Sequence, residues 1–186
     1  MTIEIIAGLI TSITSIVAIA ISVYSFKVQT NLAAITLSVT MLREYEREFF
    51  RSVEMKKKRW ITANFLLKRA SGEEPPAEAY DLLDFFDTIG QYVNRGAIDL
   101  DMTWNTFHYW FDKYWFLLSK DVNQLNEWTE GVCYLDNCSR LYGLLNAHGK
   151  SCKKLPPENV RYLPEKLETF LRSEMDACDD WNGSSS

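Results

Sequence analysis

The chain has 186 residues, 47% of them hydrophobic and 13% aromatic, which is too apolar for a disordered polymer and long enough for one modest domain with a core. The net charge of −5 is unevenly divided: residues 27–70 carry ten basic and four acidic side chains, residues 71–186 ten basic and twenty acidic. An acidic distal half argues against nucleic acid as a partner.

The first element is Ile3–Phe26, a run of apolar and small residues with Glu4 as its only charge. About 20 apolar residues cross a bilayer core as a helix, so residues 1–27 are expected to form a transmembrane anchor in contact with lipid. A signal peptide would need a positive start and a shorter apolar run, and the first basic residue here is Lys27. The excess of Lys and Arg after the span places the C-terminal bulk in the cytoplasm.

Small residues recur within the span at Ala7, Thr11, Ser15, Ala18, Ser22 and Ser25, a spacing that puts them on one helix face where a second helix could approach closely. Larger residues continue the rhythm at Val28, Leu32, Ile35, Val39 and Leu42, then Phe49 and Val53 after a polar break at Glu46. That is the seam of a coiled coil, and it predicts one long juxtamembrane helix over residues 28–69. The stripe suits either a homo-oligomer interface (Ala7, Thr11, Ser15, Ala18, Ser22, Leu32, Ile35, Val39, Leu42) or docking on the chain's own later helices. The basic run Lys56, Lys57, Lys58, Arg59 lies about 30 residues, or roughly 45 Å of helix, beyond the span, too far to touch lipid headgroups if the helix is straight. It is expected to be a solvated face, a partner for the acidic half, or a contact for an anion or partner.

Residues 70–79 form a connector rich in Gly, Pro and Glu. A helix should begin near Ala77, bury Tyr80, Leu83, Phe86, Ile89, Tyr92 and Val93, and end at Gly96 in the left-handed conformation. Asp99 is placed to cap the next helix, about Leu100–Ser119, whose Trp104, Phe107, Phe111, Tyr114, Trp115 and Leu118 follow helical spacing and read as core. More helix is expected from Asp121 to about His148, kinked near Gly131, and Pro164 should open a last amphipathic helix. Residues 179–186 are expected to be a disordered tail. The fold class is all-α: a transmembrane helix continuing into a long juxtamembrane helix, then a small helical bundle over residues 80–178.

Chemistry-bearing constellations are few. Cys133, Cys138, His148 and Cys152 have the ligand types of a zinc site, but continuous helix from Cys133 to Leu145 would set the first two cysteines on different faces. In a reducing compartment the four cysteines should be free thiols. His108 and Asp112 sit at i, i+4, and Asp99, Asp101 and Asp112 are the acids that could converge near that helix, although carboxylates at helix starts usually cap. No nucleophile-base, phosphate-loop or metalloprotease motif is present, so no catalytic residue and no cofactor is expected.

The unit Leu82–Trp115, with its Asn94–Asp99 turn and its helix ending in Tyr114-Trp115, resembles a bacterial family of small proteins of unknown function, as does Phe49–Trp60. That resemblance implies an N-terminal membrane helix before an all-helical cytoplasmic domain, in the bacterial inner membrane, and no catalytic residues. The expected function is therefore a membrane-anchored, non-enzymatic interaction module, self-associating and presenting its domain to a cytoplasmic protein or small ligand. The alternative is a membrane effector or sensor of a defence or stress system, which perturbs the membrane when its soluble domain binds.

Overall fold

Helix dominates the chain wherever the computed structural model describes it, and no strand occurs among the described residues. Backbone is described for residues 2–128, 134–152 and 154–182, and side chains for residues 15–127, 134–152 and 154–181. Seven α-helices occur in order among these residues: α1 Thr2–Arg51, α2 Val53–Lys68, α3 Ala77–Asn94, α4 Leu100–Trp128, α5 Asp136–Ser151, α6 Glu158–Arg161 and α7 Pro164–Ala177. A 3-10 turn, Asp179–Asn182, closes the described chain. Residues 1–38 and 39–186 make two compact units.

The long helix expected over 28–69 is broken at Ser52, whose backbone is extended (φ −68°, ψ 128°). Neither Gly nor Pro marks this position; the break is a capping event. The Ser52 hydroxyl accepts from the Met55 N–H at 3.4 Å, supplying one of the partners that the first turn of a helix lacks. At the other side of the break, the Phe49 carbonyl at the end of α1 accepts from the Arg59 guanidinium at 3.0 Å. Both freed helix ends are thus partly satisfied by side chains from α2 and its cap.

The core of residues 39–182 forms where the aromatic stripes meet. Phe49 is fully buried and has the rings of Phe50, Phe85, Phe86, Phe107 and Trp110 around it at centroid distances of 4.9 to 5.9 Å. Burying each such ring contributes roughly 1.5–3 kcal/mol, with edge-to-face geometry adding to it. Leu42, Phe49 and Met55 therefore belong to the domain core, so the distal part of the expected coiled-coil seam is occupied within the chain. Leu32 and Ile35 remain exposed.

Local signals in the middle of the chain act as expected. Gly96 takes φ +69° after α3, the Asp99 carboxylate accepts from the Met102 N–H at 2.9 Å, and Pro164 opens α7. Helix α4 continues past Ser119 to Trp128. The predicted kink at Gly131 lies outside the described residues. Continuous helix through Tyr134 and Leu135 does not form: Leu135 is left-handed at φ 59°, and α5 starts after it. Since Leu135 offers no capping side chain, Asp87 of α3 takes that role, accepting from the Cys138 N–H and the Asn137 amide, each at 2.9 Å. An acidic group at a helix start is favoured by the backbone dipoles as well. Residues 179–182 of the expected tail form the 3-10 turn, in which Asp180 pairs with Lys56 at 2.6 Å and Trp181 packs edge-on against Trp60.

Candidate functional site

In the first unit, the described side chains leave a row of large apolar groups facing outward. Ile16, Ile19, Ile21, Val23, Tyr24 and Phe26 are each 60–72% exposed, and no Lys, Arg, Asp or Glu falls between residues 15 and 26. By length and composition α1 is long and apolar enough to cross a membrane. Its hydroxyls bond back to their own helix: Ser22 donates to the Ala18 carbonyl, Thr30 to Phe26 and Thr36 to Leu32, all at 2.8 Å. A hydroxyl satisfied in this way needs no water or partner helix, which suits an apolar solvent. Of the predicted interface residues, Ser15, Ala18, Ser22, Leu32 and Ile35 are exposed and Val39 is half-buried, whereas Leu42 is buried in the core. Ala7 and Thr11 lie outside the described side chains.

The basic run is drawn into the domain. Arg59 is only 3% exposed, and its Nε and Nη2 form a two-point pair with the Glu174 carboxylate, 2.8 Å at each contact. Glu174 also accepts from Trp110 Nε1 at 3.1 Å and the Tyr114 hydroxyl at 2.7 Å, so all its buried charge is met by donors. Burial opposes the Arg59 charge, but the bonds to Glu174 outweigh it and hold the guanidinium above its ordinary value. Lys56 pairs with Asp180, Lys58 with Asp81 at 3.2 Å, and the Lys57 ammonium lies 6.0 Å from the Trp181 ring centre. The expectation that these four contact an external anion is overturned for Arg59; the run joins α2 to α3, α7 and the final turn. Lys56, Lys58 and Arg59 pair with acids of the later chain, whereas Lys57 stays exposed; for the buried Arg59, removal from water requires a carboxylate of matching geometry.

A second buried network centres on Asp112. It accepts from Arg161 Nη1 at 3.0 Å and from the Tyr162 hydroxyl at 2.6 Å, while the same guanidinium nitrogen reaches Asn146 Oδ1 at 2.8 Å. Burial pushes the Asp112 carboxyl up, partly offset by these partners. His108 stacks on Trp104 with ring centres 3.6 Å apart, and its buried Nε2 has no hydrogen-bond partner. Burial, with the positive charges of Arg161 and Lys113, lowers His108 to about 3, so the ring is neutral at physiological pH. Lys113 is lowered to about 8, chiefly by burial, and its ammonium sits 3.3 Å from the Tyr109 ring centre. His108 and Asp112 do come close, at 3.9 Å, but Asp112 already serves Arg161 and Tyr162. The predicted convergence of the three acids fails. Asp99 caps α4, and Asp101 lies 11 residues, about 16 Å of helix, from Asp112.

The zinc set does not assemble. Cys133 lies outside the described residues, and Cys138 is buried with its thiol on the Leu83 carbonyl at 3.3 Å. Ten residues of α5, about 15 Å, separate Cys138 from His148. Among the described residues no group of three or more His, Cys, Asp or Glu is placed to hold a metal ion. Cys138, Cys152 and Cys178 are free thiols, with Cys152 exposed. Sequence reasoning missed Glu174 and Arg161, because each pairs with a residue 115 or 49 positions away and no local spacing announces such a pair. The chain matches no known family model, no curated protein and no solved structure.

Proposed function

We propose that this chain is a membrane-anchored, non-enzymatic helical module that holds its domain at the cytoplasmic face and presents it to a partner. The observation that carries this reading is the outward apolar surface of α1, where Ile16 to Phe26 meet no protein atoms that would bury them. A water-soluble monomer rarely leaves so long an apolar surface uncovered, whereas lipid covers it at no cost. Lys27 and the later basic residues favour the cytoplasmic side for the domain. Within the domain, Arg59, Glu174, Asp112 and Arg161 are buried and bond across helices, which gives these charged groups a structural part. The exposed Leu32 and Ile35 leave part of the stripe free to meet a second copy in the same membrane.

The test is fractionation of the full chain in cells. The native chain is expected in the membrane fraction, resistant to a carbonate wash and released by detergent. The pair Ile19→Asp and Val23→Asp, each costing about 3 kcal/mol at a span centre, is expected to shift it to the soluble fraction with the domain's helical signal intact. Recovery of the native chain in plain buffer, without detergent, overturns the proposal.

A further inference from the structure

Two buried arginines bond across helices in the domain, and they differ in how much of the guanidinium is used. Arg59 turns Nε and Nη2, the two donors that lie along one edge, to both oxygens of Glu174, and gives Nη1 to the Phe49 carbonyl. Arg161 is 7% exposed, and its Nη1 alone serves Asp112 Oδ1 at 3.0 Å and Asn146 Oδ1 at 2.8 Å. The edge that Arg59 fills with a carboxylate is unfilled in Arg161. Its Nε is buried without a hydrogen-bond partner, and its Nη2 lies 3.7 Å from Glu158 Oε1, beyond hydrogen-bond reach. A buried donor without an acceptor is costly, and a planar edge of two parallel N–H groups matches the two oxygens of a carboxylate.

Arg161 is also one wall of a cavity of about 460 Å³, a size suited to a small ligand. Leu155, Pro156 and Pro157, from the connector ahead of α6, supply apolar walls, and the prolines have no N–H to offer. Lys150, near the end of α5, adds a second positive charge at the same cavity. We propose that this cavity binds a small carboxylate with an apolar body, its oxygens accepting from Arg161 Nε and Nη2 and its hydrocarbon lying against Leu155, Pro156 and Pro157. Binding leaves the bonds of Arg161 to Asp112 and Asn146 in place, since those use Nη1. Glu158 keeps 64% of its side chain exposed, so its carboxylate turns to water and yields the edge to the ligand.

The experiment titrates the full chain, in a neutral detergent at pH 7, with isovalerate, acetate and the uncharged isovaleramide. The Arg161 Nε–H and the Leu155 amide are followed by nitrogen-edited NMR. Isovalerate is expected to shift both signals saturably, with a dissociation constant of about 1 mM. Acetate, which lacks the apolar body, should bind about tenfold more weakly, and isovaleramide should leave the Nε–H signal in place. Glu158→Gln removes a like charge beside the ligand and should tighten isovalerate roughly fivefold. Arg161→Lys keeps the charge but loses the two-donor edge, so isovalerate should weaken at least about tenfold, read at the Leu155 amide. No saturable shift with isovalerate, an equal response to isovaleramide, or an unchanged affinity in Arg161→Lys overturns the proposal; equal affinity for acetate overturns the apolar contact. Should Arg161→Lys lose its helical signal, Glu158→Gln decides, and an unchanged affinity there overturns the proposal. Every group involved lies in the second unit, so this result and that of the fractionation stand or fall separately.

Discussion

Residues 15–38 of α1 and residues 39–182 are both rich in apolar side chains, yet they place them oppositely. In the first region Ile16 is 67% and Phe26 72% exposed; in the second Phe49, Phe86 and Phe111 are fully buried. Polar groups obey the same division. The hydroxyls of α1 bond to carbonyls four residues back on their own helix, while the domain's buried charges bond across helices, as Arg59 does to Glu174 and Arg161 to Asp112. A lone helix can meet its polar needs only locally, which fits an apolar surround. A packed domain can hold buried charge because a distant element supplies the complementary group.

The largest expected effect tests whether that cross-helix pairing supports the domain. Arg59→Met leaves the Glu174 carboxylate without its ion partner and the Phe49 carbonyl without its donor, so urea unfolding should show a loss of about 3–5 kcal/mol. The double change with Glu174→Leu should recover part of it; no recovery would mean that the end of α1, and not the charge, accounts for the loss. Smaller is Gly90→Ala, whose Cβ would meet the Asn137 carbonyl oxygen at 2.6 Å and force α3 from α5, a loss of about 1–3 kcal/mol by the same measurement.

His108 sharpens the comparison through pH. Its pKa is about 3 in the fold and near 6.5 when unfolded, so the unfolded chain binds the extra proton and stability falls as pH drops from about 6.5 toward 3. The slope is at most about 1.4 kcal/mol per pH unit, lessened by solvent at the ring's accessible edge. Thermal unfolding at pH 7 and pH 5 should show a larger drop for the native chain than for His108→Gln; equal drops would mean the ring is not held neutral. The smallest effect has the opposite sign. Gly143 on α5 has open space where a Cβ would stand, so Gly143→Ala should stabilise by about 0.5–1 kcal/mol through helix propensity alone.

Much of the helical framework was legible in the sequence because its signals are local. The Asp99 cap, the left-handed Gly96, Pro164 at the start of α7 and the stripe from Trp104 to Leu118 each depend on residues within a turn or two. The break at Ser52 was not legible. Serine in a helix-favouring context becomes a cap only when the tertiary structure rewards the bend, here by bringing Arg59 to the Phe49 carbonyl freed at the end of α1. The same holds at Leu135, where a non-glycine residue takes a left-handed turn and a carboxylate from α3 caps the start of α5.

By itself, the order of residues determined that the chain is helical, that its N-terminal helix is apolar over a membrane's thickness, and where most helices start or stop, since backbone capping and hydrophobic spacing act over a few residues. Tertiary structure alone decided that Arg59 of the basic run turns inward, that Leu42 and Phe49 serve the core, and that His148 meets Asp101. Those outcomes depend on groups brought together from distant parts of the chain, and pairing energies of that kind exist only once the helices have packed.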